Sequence, residues 1–258
     1  MIDLTKPRKS YRLVPEGDAL RIMGHATRKC LGQSFSLVSW NMYKARKSGW
    51  LEDLNALAAQ ADFILLQEAV LHGDKPHAFH LASGFEWIMG QNFSYHAKDI
   101  TSGVKTGSRI ASLTSRMIRS RDREPFINLP KTILATEYDI SNSAGHLLLL
   151  NIHAINIVSS RKFSRQIDQL AALMDKHQGP VVLAGDFNTW NPRRRSILAR
   201  AVAQYSLVRA PVAAPQWRHF NQVLDHVFYR GLKLKSAAAL LSIRSSDHIP
   251  LRVEFERE

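Results

Sequence analysis

Two short stretches of the sequence carry side chains suited to phosphoester chemistry. The first, VVLAGDFN, runs from an apolar segment through Gly185 into Asp186 and Asn188, and the second, SSDHIPL, presents Asp247 and His248 just before an apolar segment. Metal-assisted phosphoester cleavage needs such groups, because a hard divalent cation takes oxygen ligands and attack at phosphorus needs a base and hydrogen-bond donors. The two stretches can share one site only if the strands that bear them are neighbours.

The hydrophobic pattern around these stretches predicts alternating strands and helices. FSLVSWN is typical of a strand ending at Asn41, WLEDLNALAAQ of a helix, and ADFILLQE of a buried strand ending at Glu68. A strand is also predicted around 86–89, with turns at 102–103 and 107–108. Further along, the pattern predicts strands at 132–140, 146–156, 181–188, 223–230 and 251–256, and helices at 160–177 and 192–204. Mixed sheets covered by helices fit this order better than an all-parallel barrel does. We expect a basic, irregular leader over residues 1–33 and a single domain over residues 34–258.

The charge balance of the chain favours a polyanionic partner. The 258 residues include 35 Lys and Arg against 22 Asp and Glu, which gives a formal net charge of +13. Nucleic acid is the first expectation, anionic membranes or phosphorylated metabolites the second, and a solvated surface without a specific partner the alternative. The single cysteine, Cys30, excludes an intramolecular disulfide and a cysteine-rich zinc site. The first residues lack the apolar run of a secretory signal, so we expect a cytoplasmic protein.

Six separated motifs occur in the order found in one known family. Over about residues 35–255 the chain resembles the endonuclease/exonuclease/phosphatase superfamily, and most closely its bacterial YafD-like branch. The matching residues are Asn41 in SWNMY, Glu68 in LLQEA, His153 in NIHAIN, Asp186 and Asn188 in GDFN, Asp225 in LDHVFY, and Asp247 and His248 in SDHIP. The resemblance implies a four-layer α/β sandwich, in which two packed mixed sheets are flanked by helices and the site lies at one rim.

The resemblance also implies a role for each motif residue. Glu68 is expected to be the main ligand of Mg²⁺ or Mn²⁺, Asn41 to complete the metal site, and Asp247 to be a second ligand or an orienting group. Asp186 is expected to orient or deprotonate the attacking water.

The remaining motif residues are expected to contact the phosphate. Asn188 and His153 would donate hydrogen bonds to its oxygens. His248 would serve as base or charge stabiliser, with its ring held by Asp225.

Basic residues near the motifs are candidates for binding a phosphate backbone. They are Arg109 in SGVKTGSR and the run Arg193, Arg194 and Arg195 after Asn188. Each cluster alone could equally be a solvated surface. Trp190 could stack on a base or simply pack, and packing is the commoner use.

The sequence therefore predicts a metal-dependent phosphodiester hydrolase acting on nucleic acid. One rival is a phosphoesterase of the same fold acting on inositol phosphates or phospholipid head groups. The sequence shows no obvious exposed apolar loop for membrane contact, which counts against the lipid variant. A second rival, of another class, is a catalytically silent nucleic-acid-binding module.

Overall fold

The computed structural model describes residues 11–72, 84–95, 99–143, 145–212 and 223–257. Its strands form two sheets. The first sheet contains β1 (Tyr11–Leu13), β2 (Leu20–Gly24), β3 (Ser34–Asn41), β4 (Phe63–His72), β5 (Glu86–Tyr95), β6 (Ile100–Ser108), β13 (Leu232–Ala239) and β14 (Leu251–Arg257). The second contains β7 (Ser112–Arg119), β8 (Thr132–Asp139), β9 (His146–His153), β10 (Val181–Asp186), β11 (Val208–Arg209) and β12 (Asp225–Arg230). The helices are α1 (Trp50–Gln60), α2 (Ser160–Ala171) and α3 (Pro192–Gln204).

Both sheets are mixed. The first has the order β1-β5-β6-β4-β3-β14-β13, with β2 also paired to β5, and the second has the order β11-β12-β10-β9-β8-β7. In each sheet one central pair is parallel, β3 with β4 and β9 with β10, and the other pairings are antiparallel. The parallel pairs matter for the site, because the carboxyl ends of parallel strands lie at the same edge of a sheet.

The core confirms the expected four layers. Strand β3 is buried on both faces: Phe35 and Leu37 pack between the two sheets, whereas Val38 and Trp40 pack on the side of α1. The outer face of the second sheet is covered by α2 and α3. The order from one side to the other is therefore α1, first sheet, second sheet, and then α2 with α3.

A buried amide pair links the two sheets near the site. Gln67 on β4 donates from Nε2 to Oδ1 of Asn151 on β9 at 2.8 Å. Asn151 donates back to the main-chain carbonyl of Lys105 on β6 at 3.1 Å. Buried polar groups persist when they are hydrogen-bonded, so these bonds fix how one sheet sits on the other.

Parts of the fold differ from the sequence predictions. The described part of the expected irregular leader contributes β1 and β2, both paired to β5. The expected turns at 102–103 and 107–108 are wrong, because both positions lie within β6. Strand β13 was not predicted. Residues 1–10 of the expected leader lie outside the described residues. Within the described ranges, no helix is both long and apolar enough to cross a membrane.

Candidate active site

The topology brings the predicted site residues to one edge of the two sheets. Asn41, His153 and Asp186 are the last residues of β3, β9 and β10. Asp225 begins β12, which runs antiparallel to β10, so Asp225 pairs directly with Asp186. His248 lies just before β14, which runs antiparallel to β3. Strand ends and strand starts therefore meet at the same rim.

These residues line one cleft of about 620 Å³. The motif residues that line it are Asn41, Glu68, His153, Asp186, Asn188, Asp247 and His248. Asp225 lies behind His248 and reaches the cleft through that ring. The sequence predictions about where these residues lie thus agree with the structure, and their chemical roles stay predictions.

Asp186 is the centre of the cluster. Its Oδ2 accepts a hydrogen bond from Asn41 Nδ2 at 3.0 Å, and its Oδ1 accepts one from the Asn188 main-chain N–H at 2.9 Å. Oδ2 also lies 3.6 Å from His153 Nε2 and 4.0 Å from His248 Nε2. Burial raises the pKa of Asp186 above the usual carboxyl value, against the opposing charge of His248. A carboxyl group tuned in this direction is suited to accept a proton.

The glycine before Asp186 is required by close packing. Gly185 has a φ of +144°, and a Cβ at this position would lie 2.0 Å from the main-chain oxygen of Ile152 on β9. Only glycine allows β10 to approach β9 this closely while adopting that backbone conformation. Gly185 therefore sets the position of Asp186 beside His153.

His248 and Asp225 form a buried pair. His248 Nδ1 lies 2.7 Å from Asp225 Oδ2. Burial alone would lower the pKa of His248, but the charge of Asp225, its hydrogen bond and the charges of Asp186 and Asp247 raise the pKa to about 10. The imidazole is therefore protonated at neutral pH, and its Nε2–H is a donor for a phosphate oxygen.

His153 is held neutral and is paired with a lysine that the sequence analysis missed. Lys131 Nζ lies 3.2 Å from His153 Nε2 and 3.7 Å from Glu124 Oε1. Burial and the charge of Lys131 keep the pKa of His153 well below its usual value. Because an ammonium group can only donate, Nε2 of His153 is the acceptor here. Lys131 is thus the phosphate-facing donor in place of the expected His153. Its signal in the sequence was its position directly before β8.

Glu68 projects into the cleft from a bulge rather than from a strand end. Strand β4 continues to His72, and its register with β6 shifts between Leu66 and Ala69. Glu68 has a φ of +51°, and its Oε2 accepts a hydrogen bond from Lys44 Nζ at 2.7 Å. Bulges often redirect a side chain at a functional site.

The donor set of the cleft fits Mg²⁺ or Mn²⁺. Burial would raise the pKa of Glu68, but the charges of Lys44 and Lys131 lower it to about 2, so the carboxylate is ionised. The amide oxygen of Asn41 and the carboxylate of Asp247 line the same cleft. Within the described ranges, no three His, Cys, Asp or Glu side chains form a metal cage. This suits Mg²⁺, which usually keeps several waters and takes one or two carboxylates.

Two of the predicted phosphate-binding arginines are structural, which corrects the sequence analysis. Arg194 is fully buried and donates to the main-chain oxygens of Ile155, Asn188 and Val158. Arg109 donates to the main-chain oxygens of Ala58 and Ala61 at the end of α1. Arg109 follows β6 at the end where Ser108 pairs with Phe63, the opposite end of β4 from Glu68. Neither guanidinium group is available to a substrate in the cleft.

Arg193 and Arg195 remain candidates for contact with substrate. Both are exposed at the first turn of α3, immediately after Trp190. Arg195 makes one hydrogen bond, to the main-chain oxygen of Thr189 at 3.3 Å.

The mouth of the cleft carries exposed apolar side chains, so the expectation of no exposed apolar loop is wrong. Phe126 is 95% exposed and Ile157 is 62% exposed. Ile127 and Trp190 are 41% and 42% exposed and line the cleft together with Ile157. These four residues are referred to below as the apolar rim.

The comparisons with known proteins agree with the fold and the motif order. A family model described as the Endonuclease/Exonuclease/phosphatase family matches residues 38–248. A UPF0294 protein of Vibrio campbellii is 34% identical over 228 residues, covering 85% of this chain and 77% of the relative. That name leaves the YafD-like branch a prediction.

Solved structures support the fold alone, because their sequence identities are low. An endonuclease/exonuclease/phosphatase from Beutenbergia cavernae has a TM-score of 0.67 at 18% identity, covering 87% of this chain and 72% of its own. A mannosyl-6-phosphatase of Bacteroides thetaiotaomicron has a TM-score of 0.62 at 16% identity, covering 86% of this chain and 99% of its own.

Proposed function

The chain belongs to the endonuclease/exonuclease/phosphatase family, whose members are typically phosphoester hydrolases, and on that basis we propose that it is a divalent-metal-dependent phosphodiester hydrolase acting on nucleic acid. The observation that carries the proposal is the arrangement around Asp186. A buried carboxylate of raised pKa stands beside a protonated imidazole, both at the floor of one cleft.

The side chains of this chain divide the work by charge. Asp186, oriented by Asn41, accepts the proton of the attacking water. His248, held by Asp225, donates to a non-bridging phosphate oxygen and stabilises its developing charge. Lys131 supplies a second positive group on the other wall.

Glu68, Asn41 and Asp247 would hold the cation. When bound, the cation supplies Lewis-acid polarisation of the phosphate. Asn188 keeps its side chain fixed by donating to the main-chain oxygen of Ala154 at 2.9 Å. Its second amide hydrogen is then the group that can reach the substrate.

The net charge of +13 and the exposed Arg193 and Arg195 support nucleic acid as the substrate. A second candidate, a phospholipid head group, is favoured by the apolar rim, since exposed apolar residues at a cleft also suit a lipid surface.

A substrate panel tests the proposal. Oligonucleotides, inositol phosphates and phospholipids are incubated with the protein in Mg²⁺, in Mn²⁺ and in a chelator, with Asp186→Asn as the inactive control. We expect oligonucleotide cleavage that requires metal and is lost in Asp186→Asn. Cleavage of phospholipid or inositol phosphate alone would replace the substrate class. Binding of oligonucleotides without any hydrolysis would indicate the silent binding module.

A further inference from the structure

The apolar rim is held in a strained conformation at the cleft. Phe126 has a φ of +66° and Ile157 a φ of +50°. Bulky and β-branched side chains rarely adopt this left-handed region, and each instance costs about 1–3 kcal/mol. Strain of this kind persists only where surrounding contacts impose it, so the contacts around the rim are informative.

Hydrogen bonds fix both rim loops. Around Phe126, the main-chain N–H of Asn128 donates to the main-chain oxygen of Glu124 at 3.0 Å. Glu124 in turn accepts, at Oε1, the main-chain N–H of Asn156 at 2.7 Å. The side chain of Asn156 accepts the main-chain N–H of Ile157 at 2.8 Å. One connected network thus turns Phe126 and Ile157 outward, next to each other along the same groove.

Trp190 is oriented by the same network. Its Nε1–H donates to Asn156 Oδ1 at 2.9 Å. The buried guanidinium of Arg194 stacks against its ring at 4.9 Å from the centroid and against Phe163 at 4.5 Å. The indole therefore has a fixed orientation on the wall of the cleft while it remains partly exposed. A rigid aromatic surface of this kind loses little conformational entropy when a flat ring stacks on it.

Positive charges accompany the apolar rim. Arg123 and Lys162 line the groove that contains Phe126 and Ile157. Arg193 and Arg195 follow Trp190, and Lys44 and Lys131 lie deeper in the cleft. A ligand that matches this surface has phosphates at regular intervals and flat apolar groups between them.

We propose that the apolar rim binds unpaired bases of a single nucleic-acid strand on either side of the phosphate held at Asp186 and His248. This inference rests on the proposed function and narrows its substrate to single-stranded or locally unpaired nucleic acid. Bases in a duplex face each other and stack internally, so their faces are closed to Phe126 and Trp190. An unpaired strand offers both a stackable face and a backbone for the basic residues.

Binding is measured by fluorescence anisotropy in a chelator, which prevents cleavage. Three labelled probes have the same number of phosphates: a single-stranded DNA, a hairpin duplex, and a strand in which tetrahydrofuran replaces every base. We expect the single strand to bind at least ~10-fold more tightly than the baseless strand, in line with base–aromatic stacking. Phe126→Ser and Ile157→Ser should each remove most of that difference. Ile22→Ser is the matched control, because Ile22 is 57% exposed on β2, away from the cleft.

Three results would overturn the inference. They are equal affinity for the baseless strand, equal affinity for the duplex, and unchanged binding in the Phe126→Ser and Ile157→Ser variants. Sedimentation with phosphatidylglycerol vesicles that is lost in the same variants would assign the rim to a lipid surface instead. Cleavage of oligonucleotides by these variants at the wild-type rate would sink the inference and leave the nuclease proposal standing. Failure of the wild-type protein to bind or cleave any oligonucleotide would sink the nuclease proposal itself.

Discussion

Substituting Asp225 by Asn should change how hydrolysis depends on pH. The amide oxygen of Asn can still accept the His248 Nδ1–H, so the ring stays in place while the charge beside it is lost. In the wild type the pKa of His248 is raised to about 10, chiefly by Asp225 against the effect of burial. Without that charge, burial should return the pKa to its ordinary value near 6.5 or lower.

The expected loss follows from the protonated fraction of His248. A raised histidine pKa means that the charged form is fully present at low pH and is lost as pH rises through that pKa. At pH 8 a group of pKa about 10 is about 99% protonated, whereas a group of pKa about 6.5 is about 3% protonated. If the imidazolium is the active form, Asp225→Asn should lose about 30-fold in kcat at pH 8 and less than about twofold at pH 6.

The assay is hydrolysis of bis(p-nitrophenyl) phosphate at saturating Mg²⁺ between pH 6 and pH 9, with NMR titration of the His248 ring protons as an independent readout. Asp62→Asn is the matched control, because Asp62 bonds to Arg28 and Ser36 just before β4, at the end of that strand away from Glu68. Parallel pH profiles for wild type and Asp225→Asn would refute the reasoning. A wild-type rate that rises steadily to pH 9 would instead indicate that His248 acts as a base.

Four further outcomes are expected. Glu68→Gln should weaken Mg²⁺ binding in calorimetry and reduce hydrolysis by at least ~100-fold with the melting temperature unchanged, and wild-type metal affinity in this variant would move the ligand elsewhere. Replacing Arg193 and Arg195 together by Ala should flatten the slope of log affinity for single-stranded DNA against log salt by about 1.4, at ~0.7 per phosphate contact, and an unchanged slope would remove both from the binding track. Arg194→Met should lower the free energy of unfolding by about 2–4 kcal/mol, because three buried carbonyls lose a charged donor, while Arg193→Met should leave chemical denaturation curves in place. Gly185→Ala should cost about 2–4 kcal/mol in the same measurement, whereas Gly32→Ala, which meets no atom within 4 Å, should be nearly neutral; equal effects would show that the close approach to Ile152 is not limiting.

The arrangement of the site residues could be predicted because their positions along strands determine it. Asn41, His153 and Asp186 end strands of one direction, and Asp225 begins a strand of the opposite direction. Once the strands are neighbours, the side chains must meet. The bulge at Glu68 could not be predicted, since it depends on how β4 pairs with β6 rather than on the apolar run itself.

The functions of the arginines were harder to predict because burial depends on tertiary packing. Arg194 was grouped with Arg193 and Arg195 as one basic cluster. Its spacing to Leu198 and Val202 nevertheless places it on the buried face of α3, and that helical period was the signal. Arg109 satisfies the last carbonyls of α1 across the fold, and a local pattern gives no indication of that contact. Strands β1, β2 and β13 were missed because short edge strands are only half buried and show weak alternation.

The hydrogen bond from Asn41 to Asp186 joins the two sheets across 145 positions of the chain. Contacts between residues so distant in sequence form late, since a long loop must close before they gain any stability. The pair of Asp225 with His248 adds a segment near the carboxyl end to the same cluster. A nascent chain still inside the ribosome beyond residue 240 therefore has no assembled cleft, however much of its first sheet has folded. A hydrolase that acts on nucleic acid would in this way stay inactive during its own translation, beside the messenger and ribosomal RNA that surround it.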